Sequence, residues 1–206
     1  MRILFSCAAA VVLSMAANAQ SVWKIVPGKP QTPWVADVNP AKPLPEYPRP
    51  QLKRANWQNW NGLWKYAITA ASEQNIPSAF QGDILVPYPV ESALSGVGKT
   101  VGKDQVLWYS TNIALSKPSG TNQVILNFGA VDWRCDVFVN GKKVGRHEGG
   151  FDPFSFNITS YLGKGKQQAI ALRVWDPTDD GPQPRGKQVK KPEGIWYTPV
   201  TGIWQT

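Results

Sequence analysis

The sequence predicts an all-β fold, a jelly-roll-like antiparallel β-sandwich. Short segments alternate apolar with polar side chains, and clusters of Gly and Pro separate them. After residue 19, no segment shows a helical period longer than about two turns. Several short strands joined by such turns are typical of sandwiches and barrels. The order of the strands does not follow from periodicity.

The first nineteen residues predict a cleaved signal peptide. Arg2 supplies a positive start, residues 3–15 are almost wholly apolar or small, and residues 17–19 (Ala-Asn-Ala) fit a cleavage site. The apolar run is too short for a membrane-spanning helix. We therefore expect an exported protein without a membrane span, periplasmic or extracellular after cleavage.

Residues 20–56 are rich in proline, which excludes a regular helix or central strand and favours an extended lead segment. We expect this segment to lie along the domain surface, with Trp23, Trp34 and Tyr47 as anchors. Residues 57–206 are then the sandwich domain, which we expect to be truncated at its C-terminal end.

The first half of the domain predicts four strands. Asn61-Gly62 is a turn signal before the first strand, and Pro87 and Pro89 interrupt the second. The predicted strands are residues 63–69, 82–90, 106–115 and 123–128.

The clearest periodicity lies in residues 131–140, where apolar and polar positions alternate. One face is expected to be buried and the other solvated, as in an antiparallel sheet with one wet side. Asn140-Gly141 then predicts a tight hairpin. The later strands are predicted at residues 151–158, 168–175 and 202–206. In the second of these, Ile170, Leu172 and Val174 share one face.

The composition argues against several kinds of site. The formal net charge is +8, but the cations fall in turns rather than on a helical stripe, so nucleic-acid binding is not expected. The mature chain keeps one cysteine, Cys135, predicted as a small core residue, so no intramolecular disulfide can form. There is one histidine, His147, predicted in a solvated loop, and a zinc or copper site is therefore not expected. No phosphate-binding or dinucleotide fingerprint indicates a cofactor.

Two further kinds of chemistry need carboxylates. Asp176, Asp179 and Asp180 could hold a hard cation, but their spacing does not follow the EF-hand pattern, and turn chemistry is the favoured interpretation. A retaining glycosidase needs two carboxyl groups about 5–5.5 Å apart. Asp132 and Asp136 would be roughly 13 Å apart on one strand. The other candidates, which lie on different loops, are Asp152, Asp179, Asp180 and Glu193. No catalytic pair is therefore predicted.

Residues 176–193 are a long segment without periodicity between two predicted strands. Long loops of this kind are usually functional or disordered. This one and the residues that follow it combine cations, acids and aromatic rings. The composition suggests a wall for a polar ligand.

Several motifs in order resemble glycoside hydrolase family 2. They are residues 57–65 (WQNWNGLWK), 84–96 (ILVPYPVESALSG), 128–145 (FGAVDWRCDVFVNGKKVG) and 149–159 (GGFDPFSFNIT). The resemblance is to the N-terminal sugar-binding domain of the β-galactosidase and β-glucuronidase-like members, and it covers roughly residues 57–206. It implies a jelly-roll sandwich of the galactose-binding-domain-like type.

The resemblance also implies how this domain functions. In the family, the sandwich precedes an immunoglobulin-like domain and a barrel that carries both catalytic glutamates. It therefore implies no catalytic residue in this chain, a β-glycoside as ligand, and the two downstream domains as partners. The expected function is a non-catalytic sugar-binding or scaffold domain of an exported family 2 exo-β-glycosidase that hydrolyses O-glycosyl bonds. The alternatives are a free-standing lectin-like module and a structural domain that docks on protein.

The resemblance also points to site residues. In some family members a loop of this domain places an acidic residue against the sugar, just before an aromatic pair. The nearest match here is Glu193, ahead of Ile195-Trp196. Trp196, Arg185 and Lys187 are its predicted companions.

Overall fold

The fold is nearly all-β, as predicted. The computed structural model describes residues 23–49 and 53–206, so the predicted signal peptide lies outside the described residues. The strands are β1 (Gly62–Ala70), β2 (Gly82–Val86), β3 (Gln105–Ala114), β4 (Ile125–Phe128), β5 (Ala130–Asp132), β6 (Arg134–Val139), β7 (Lys142–Glu148), β8 (Phe154–Asn157), β9 (Gln167–Trp175) and β10 (Gly202–Gln205). Within the described residues, two short 3₁₀ helices span Pro33–Asp37 and Thr159–Tyr161. No helix in the described residues is long and apolar enough to cross a membrane.

The strands form one large antiparallel sheet and two small ones. The six-stranded sheet has the order β2-β1-β3-β9-β6-β7, and β10-β5 and β4-β8 form the two-stranded sheets. The β6–β7 hairpin turns at Asn140 and Gly141, which both have positive φ, as a tight two-residue hairpin requires. The antiparallel prediction is thus confirmed, whereas the jelly-roll connectivity stays a prediction.

The main core lies between the large sheet and the two small ones. From the large sheet, Ile170, Leu172 and Val174 are fully buried, as their alternation predicts, and Cys135 is buried beside them. Leu126 of β4, Phe128 of β4 and Ile203 of β10 are among the residues that close the core from the other side. Burial of apolar area at about 25 cal/mol per Å² is the main force that holds these layers together.

Residues 131–140 do not form one strand, and this corrects the prediction. The strand breaks at Trp133: β5 pairs with β10, while β6 pairs with β7 and β9 in the large sheet. Asp132 and Asp136 therefore belong to different sheets. Asp132 is directed under the loop that follows β9, where it bonds Gln188.

The polar face of β6 is not solvated, which is a second correction. Asp136 is 3% exposed and accepts hydrogen bonds from Arg146 at 2.7 and 3.1 Å. Buried Arg173 lies 3.8 Å from the same carboxylate and donates to two backbone carbonyls, at Ala71 and Glu73. The segment after β1 thus covers this face, together with a small apolar cluster around Trp108.

His147 also departs from its predicted place. It lies in β7 rather than in a solvated loop, and its ring stacks on Phe154 with 4.1 Å between centroids. Its Nε2 is buried and has no hydrogen-bond partner. The ring therefore acts mainly as a flat packing surface.

The lead segment lies along the domain, held at two of the three predicted anchors. The Trp23 indole donates to the Leu94 carbonyl at 3.0 Å, and the Tyr47 ring meets Trp57 edge-on at 4.8 Å. Gly96 allows the first contact, because a Cβ there would lie 2.7 Å from the Trp23 ring. Trp34 is 70% exposed and anchors nothing, so that part of the prediction is wrong.

Candidate functional site

The loop between β9 and β10 carries the predicted site residues. We call residues 176–201 the β9–β10 loop. Its two arms pair with each other: Val189 N–H donates to the Tyr197 carbonyl, and Tyr197 N–H donates to the Lys187 carbonyl, both at 2.9 Å. The loop therefore has backbone structure of its own, although it lacks sequence periodicity.

The tip of this loop exposes aromatic and apolar side chains. Ile195 is 67% exposed, Tyr197 64% and Trp196 39%. The Arg185 guanidinium lies 5.5 Å from the Trp196 ring centre, and the Lys187 ammonium lies 5.7 Å from the Tyr197 ring centre. Both pairs are within cation–π range. The tip is a polar and aromatic surface of the kind that contacts sugars.

The structure brings most of the predicted site residues together. Glu193 and Trp196 line one open depression of about 450 Å³, and Arg185 lies against Trp196. Lys187 lies against the neighbouring ring, that of Tyr197. The other residues that line the depression are Asp179, Asp180, Val189, Lys190 and Lys191. The role of all these residues as saccharide contacts stays a prediction.

The acids at the start of the loop are neutralised by its own cations. Lys190 bonds Asp180 and lies 3.9 Å from Asp179, which Arg185 approaches to 3.8 Å. The hydrogen bond from Lys190 lowers the pKa of Asp180. Asp176 instead accepts from the Thr178 N–H, as a turn residue does. Residues 23–49 and 53–206 contain no group of three or more His, Cys, Asp or Glu side chains that could hold a metal ion.

Three buried carboxyl groups, two beneath the loop and one at its first residue, are each at most 3% exposed. Glu91 accepts from the Thr201 N–H at 2.9 Å, and Asp176 accepts from the Thr201 hydroxyl at 3.0 Å. Asp132 accepts from the Gln188 side-chain amide at 2.8 Å, and the Gln188 amide oxygen accepts from Val200 N–H. The Asp176–Thr201 bond closes the base of the loop, while Glu91 and Asp132 attach its last residue and its middle to the sandwich.

Burial changes the acidity of these groups. Desolvation raises the pKa of Glu91 to about 8, which outweighs the hydrogen bonds from Thr201, and the Asp176 charge raises it further. The pKa of Asp132 is raised to about 7, mainly by desolvation and to a smaller extent by the charge of Asp176. Burial also raises the pKa of Asp176. All three carboxyl groups are therefore harder to ionise than carboxyl groups in water.

Sequence reasoning did not identify Glu91, Thr201 or Gln188 as part of the site. Glu91 is the one charged residue in the largely apolar stretch 84–96, which is the only signal that could have singled it out. Its partners lie about a hundred residues away, at a separation that periodicity does not reach.

A second open groove, of about 540 Å³, lies where β1 and β3 separate. Trp60 and Asn112 line it with several amide side chains. Two of these amides already hold the structure together, because Asn59 donates to the Leu44 carbonyl and Asn61 donates to the Thr206 hydroxyl. This groove has fewer free polar groups than its composition suggests.

The chain is similar in sequence to known proteins. A family model described as "Glycosyl hydrolases family 2, sugar binding domain" matches residues 51–182. The chain is 34% identical to a β-glucuronidase of Formosa agariphila over 68 residues, which are 33% of this chain and 7% of that protein. It is 36% identical to a β-galactosidase of Thermoanaerobacter pseudethanolicus over 70 residues, 34% of this chain and 9% of that protein.

Solved structures are also similar to the chain. The β-glucuronidase of Lactobacillus rhamnosus superposes with a TM-score of 0.48 at 26% identity, over 58% of this chain and 21% of that one. The matched part of the chain thus corresponds to about a tenth of the curated relatives and a fifth of the solved structure.

Proposed function

Since the chain belongs to glycoside hydrolase family 2, as its sugar-binding domain, we propose that it is the non-catalytic, saccharide-contacting part of an exported exo-β-glycosidase that hydrolyses O-glycosyl bonds. The observation that carries this proposal is the match of the family's sugar-binding model to residues 51–182. Export is proposed from residues 1–19, and the proposed partners are an immunoglobulin-like domain and a catalytic barrel.

The β9–β10 loop is the proposed contact with sugar. Glu193 and Trp196 line the same depression, and the loop that carries them is closed at its base by the Asp176–Thr201 bond and attached to Glu91. An aromatic ring next to a carboxylate suits a sugar, whose C–H face stacks while its hydroxyls donate hydrogen bonds. Two of the relatives are named β-glucuronidase and β-galactosidase, so a β-glycoside is the proposed ligand class.

The acids of the loop support a non-catalytic role. A general acid for glycoside hydrolysis needs a raised pKa and access to the substrate. In the depression, Asp180 has a lowered pKa and Asp179 is paired with Lys190 and Arg185. The acids with raised pKa values, Glu91 and Asp132, are buried beneath the loop instead.

Replacing Trp196 with alanine tests the contact. We expect calorimetric titration with methyl β-glucuronide and methyl β-galactoside to show weak, saturable binding of at least one, which Trp196→Ala weakens about fivefold or more. A stacked ring contributes about 1 kcal/mol, which corresponds to this factor. Trp34→Ala is the matched control, because Trp34 is more exposed and lies far along the chain in the lead segment.

Equal binding by wild type and Trp196→Ala would contradict the proposed contact, as would the absence of any binding. The same samples, assayed with nitrophenyl β-glycosides, should show no turnover above that of buffer. Turnover by clean protein would contradict the non-catalytic role.

The exposed aromatic tip also favours a second candidate, the lectin-like module. Such a module would bind glycan without downstream domains, and with higher affinity for oligosaccharides than for a single sugar. Titration with oligosaccharides of increasing length distinguishes the two candidates. A domain that contributes part of an exo-acting site gains little beyond the terminal sugar.

A further inference from the structure

The buried carboxyl groups hold the β9–β10 loop by a small number of bonds. Thr201 is held by Glu91 and Asp176, and the Val90 N–H also donates to the Thr201 carbonyl at 3.2 Å. Asp176 and Thr201 are the first and last residues of the loop, so their hydrogen bond closes its base. Asp132 holds the middle of the loop through Gln188.

Among the described residues, no Lys, Arg or His compensates the charge of this cluster. In the part of the chain that the structure describes, none of the three acids forms an ion pair with Lys, Arg or His. The groups that face Glu91 are Thr201, the Asp176 carboxyl and the Tyr109 phenol. The groups that face Asp132 are the Gln188 amide, the Asp176 carboxyl and Gly150, where a Cβ would lie 2.3 Å from the carboxyl oxygen.

One oxygen atom of Glu91 favours the neutral form of this side chain. Glu91 is only 3% exposed, so water does not reach its carboxyl group freely, and its Oε1 atom has no hydrogen-bond partner among the described residues. An ionised carboxylate with an unsatisfied buried oxygen is costly, whereas a neutral carboxyl group is much less so. The geometry therefore suits an acid that keeps its proton.

We propose that Glu91, Asp132 and Asp176 form a proton-dependent latch, in which these positioning residues hold the β9–β10 loop most tightly in acidic solution and release it progressively as the pH rises through neutral into weakly alkaline solution. The latch would make the saccharide-contacting surface depend on pH without any change in the residues that touch sugar. As Glu91 or Asp132 ionises, its proton leaves to water and its charge repels the Asp176 carboxylate.

The acidity of the cluster sets the pH range and its sign. The pKa is raised to about 8 in Glu91 and to about 7 in Asp132, so both acids ionise more easily when the loop opens and water reaches them. The closed loop binds more protons than the open one, and it therefore loses stability as pH rises. Each such group changes the opening equilibrium by about tenfold per pH unit, up to its closed-state pKa.

Amide hydrogen exchange of the full chain, corrected for intrinsic rates, tests the latch. We expect protection at the paired amides of residues 189 and 197 to fall at least about tenfold between pH 6 and pH 9, relative to the amides of β3 and β9. Glu91→Gln and Asp132→Asn should each reduce this dependence, because an amide does not ionise. Glu148→Gln, which removes an exposed carboxylate on β7, should retain it in full.

Equal protection at both pH values in wild type would overturn the latch. A full pH dependence in the Glu91→Gln, Asp132→Asn double variant would overturn it equally. The latch rests on the proposed function only because it takes the β9–β10 loop as the contact with sugar. Saccharide titration at the same two pH values distinguishes failure of the latch from failure of the proposed function. Protection that changes with pH in a protein that binds no sugar supports the latch and refutes the proposed function. Sugar binding together with protection that does not change with pH supports the proposed function and refutes the latch.

Discussion

Replacing Gly202 with alanine is expected to lower the free energy of unfolding by about 3 kcal/mol. The backbone φ of Gly202 is +94°, where a non-glycine residue costs about 1–3 kcal/mol. A Cβ there would lie 2.0 Å from the Tyr109 phenol oxygen, and overpacking of this kind costs about 1–3 kcal/mol more. Tyr109 is fully buried and accepts a hydrogen bond from Ile203 N–H, so it cannot move aside freely.

Urea denaturation measures this loss, and Gly102→Ala is the matched control. A Cβ at Gly102 meets nothing within 4 Å, and its φ lies outside the left-handed region. We expect this control to be neutral or slightly stabilising, because alanine restricts the unfolded chain. Equal midpoints for the two variants would show that β10 does not pack against Tyr109 as closely as the structure indicates.

Replacing Asp136 with asparagine is also expected to cost about 3 kcal/mol. Asp136 and Arg173 have side chains that are 4% and 5% exposed, and breaking a buried pair leaves an uncompensated charge that costs about 3–5 kcal/mol. The lower end of that range applies, because the other cations that contact Asp136, Lys143 and Arg146, are partly exposed. Asp37→Asn, at an exposed site in the lead segment, should change stability by less than about 0.5 kcal/mol.

The pH dependence of this variant provides a further check. Burial alone would raise the pKa of Asp136, but the hydrogen bonds from Arg146 and Lys143 lower it below its ordinary value. This acid therefore stabilises the fold above its unfolded-state pKa of about 3.9, and its contribution is lost as pH falls through its lower native pKa. The difference in the free energy of unfolding between wild type and Asp136→Asn should therefore become smaller in acid. A constant gap from pH 6 to pH 2 would contradict the ion-pair account.

Much of the fold follows from the sequence because strand alternation reports burial directly. Ile170, Leu172 and Val174 are buried as predicted, and Asn140-Gly141 forms the predicted hairpin. The solvated face predicted around Asp136 is wrong, because a distant segment covers it through Arg173. Periodicity within one strand contains no information about such a cover.

The candidate site was predictable only where its residues are close in sequence. Glu193 and Trp196 lie three residues apart in one turn, where the Trp196 N–H donates to the Glu193 carbonyl at 3.0 Å. Glu91 and Thr201 are joined across 110 residues, so only the fold brings them together. The latch could not be predicted, because acids dispersed along a chain look like ordinary surface residues.

We infer that this family 2 domain contacts sugar through the β9–β10 loop. Two-dimensional ¹H–¹⁵N NMR spectra of the full chain, recorded during titration with methyl β-glucuronide and methyl β-galactoside, test it most directly. We expect dose-dependent shifts at the backbone amides of residues 185–197 and at the Trp196 indole N–H, with little change at Trp34. Shifts confined to the groove around Trp60 and Asn112, or no shifts with either sugar, would contradict the claim.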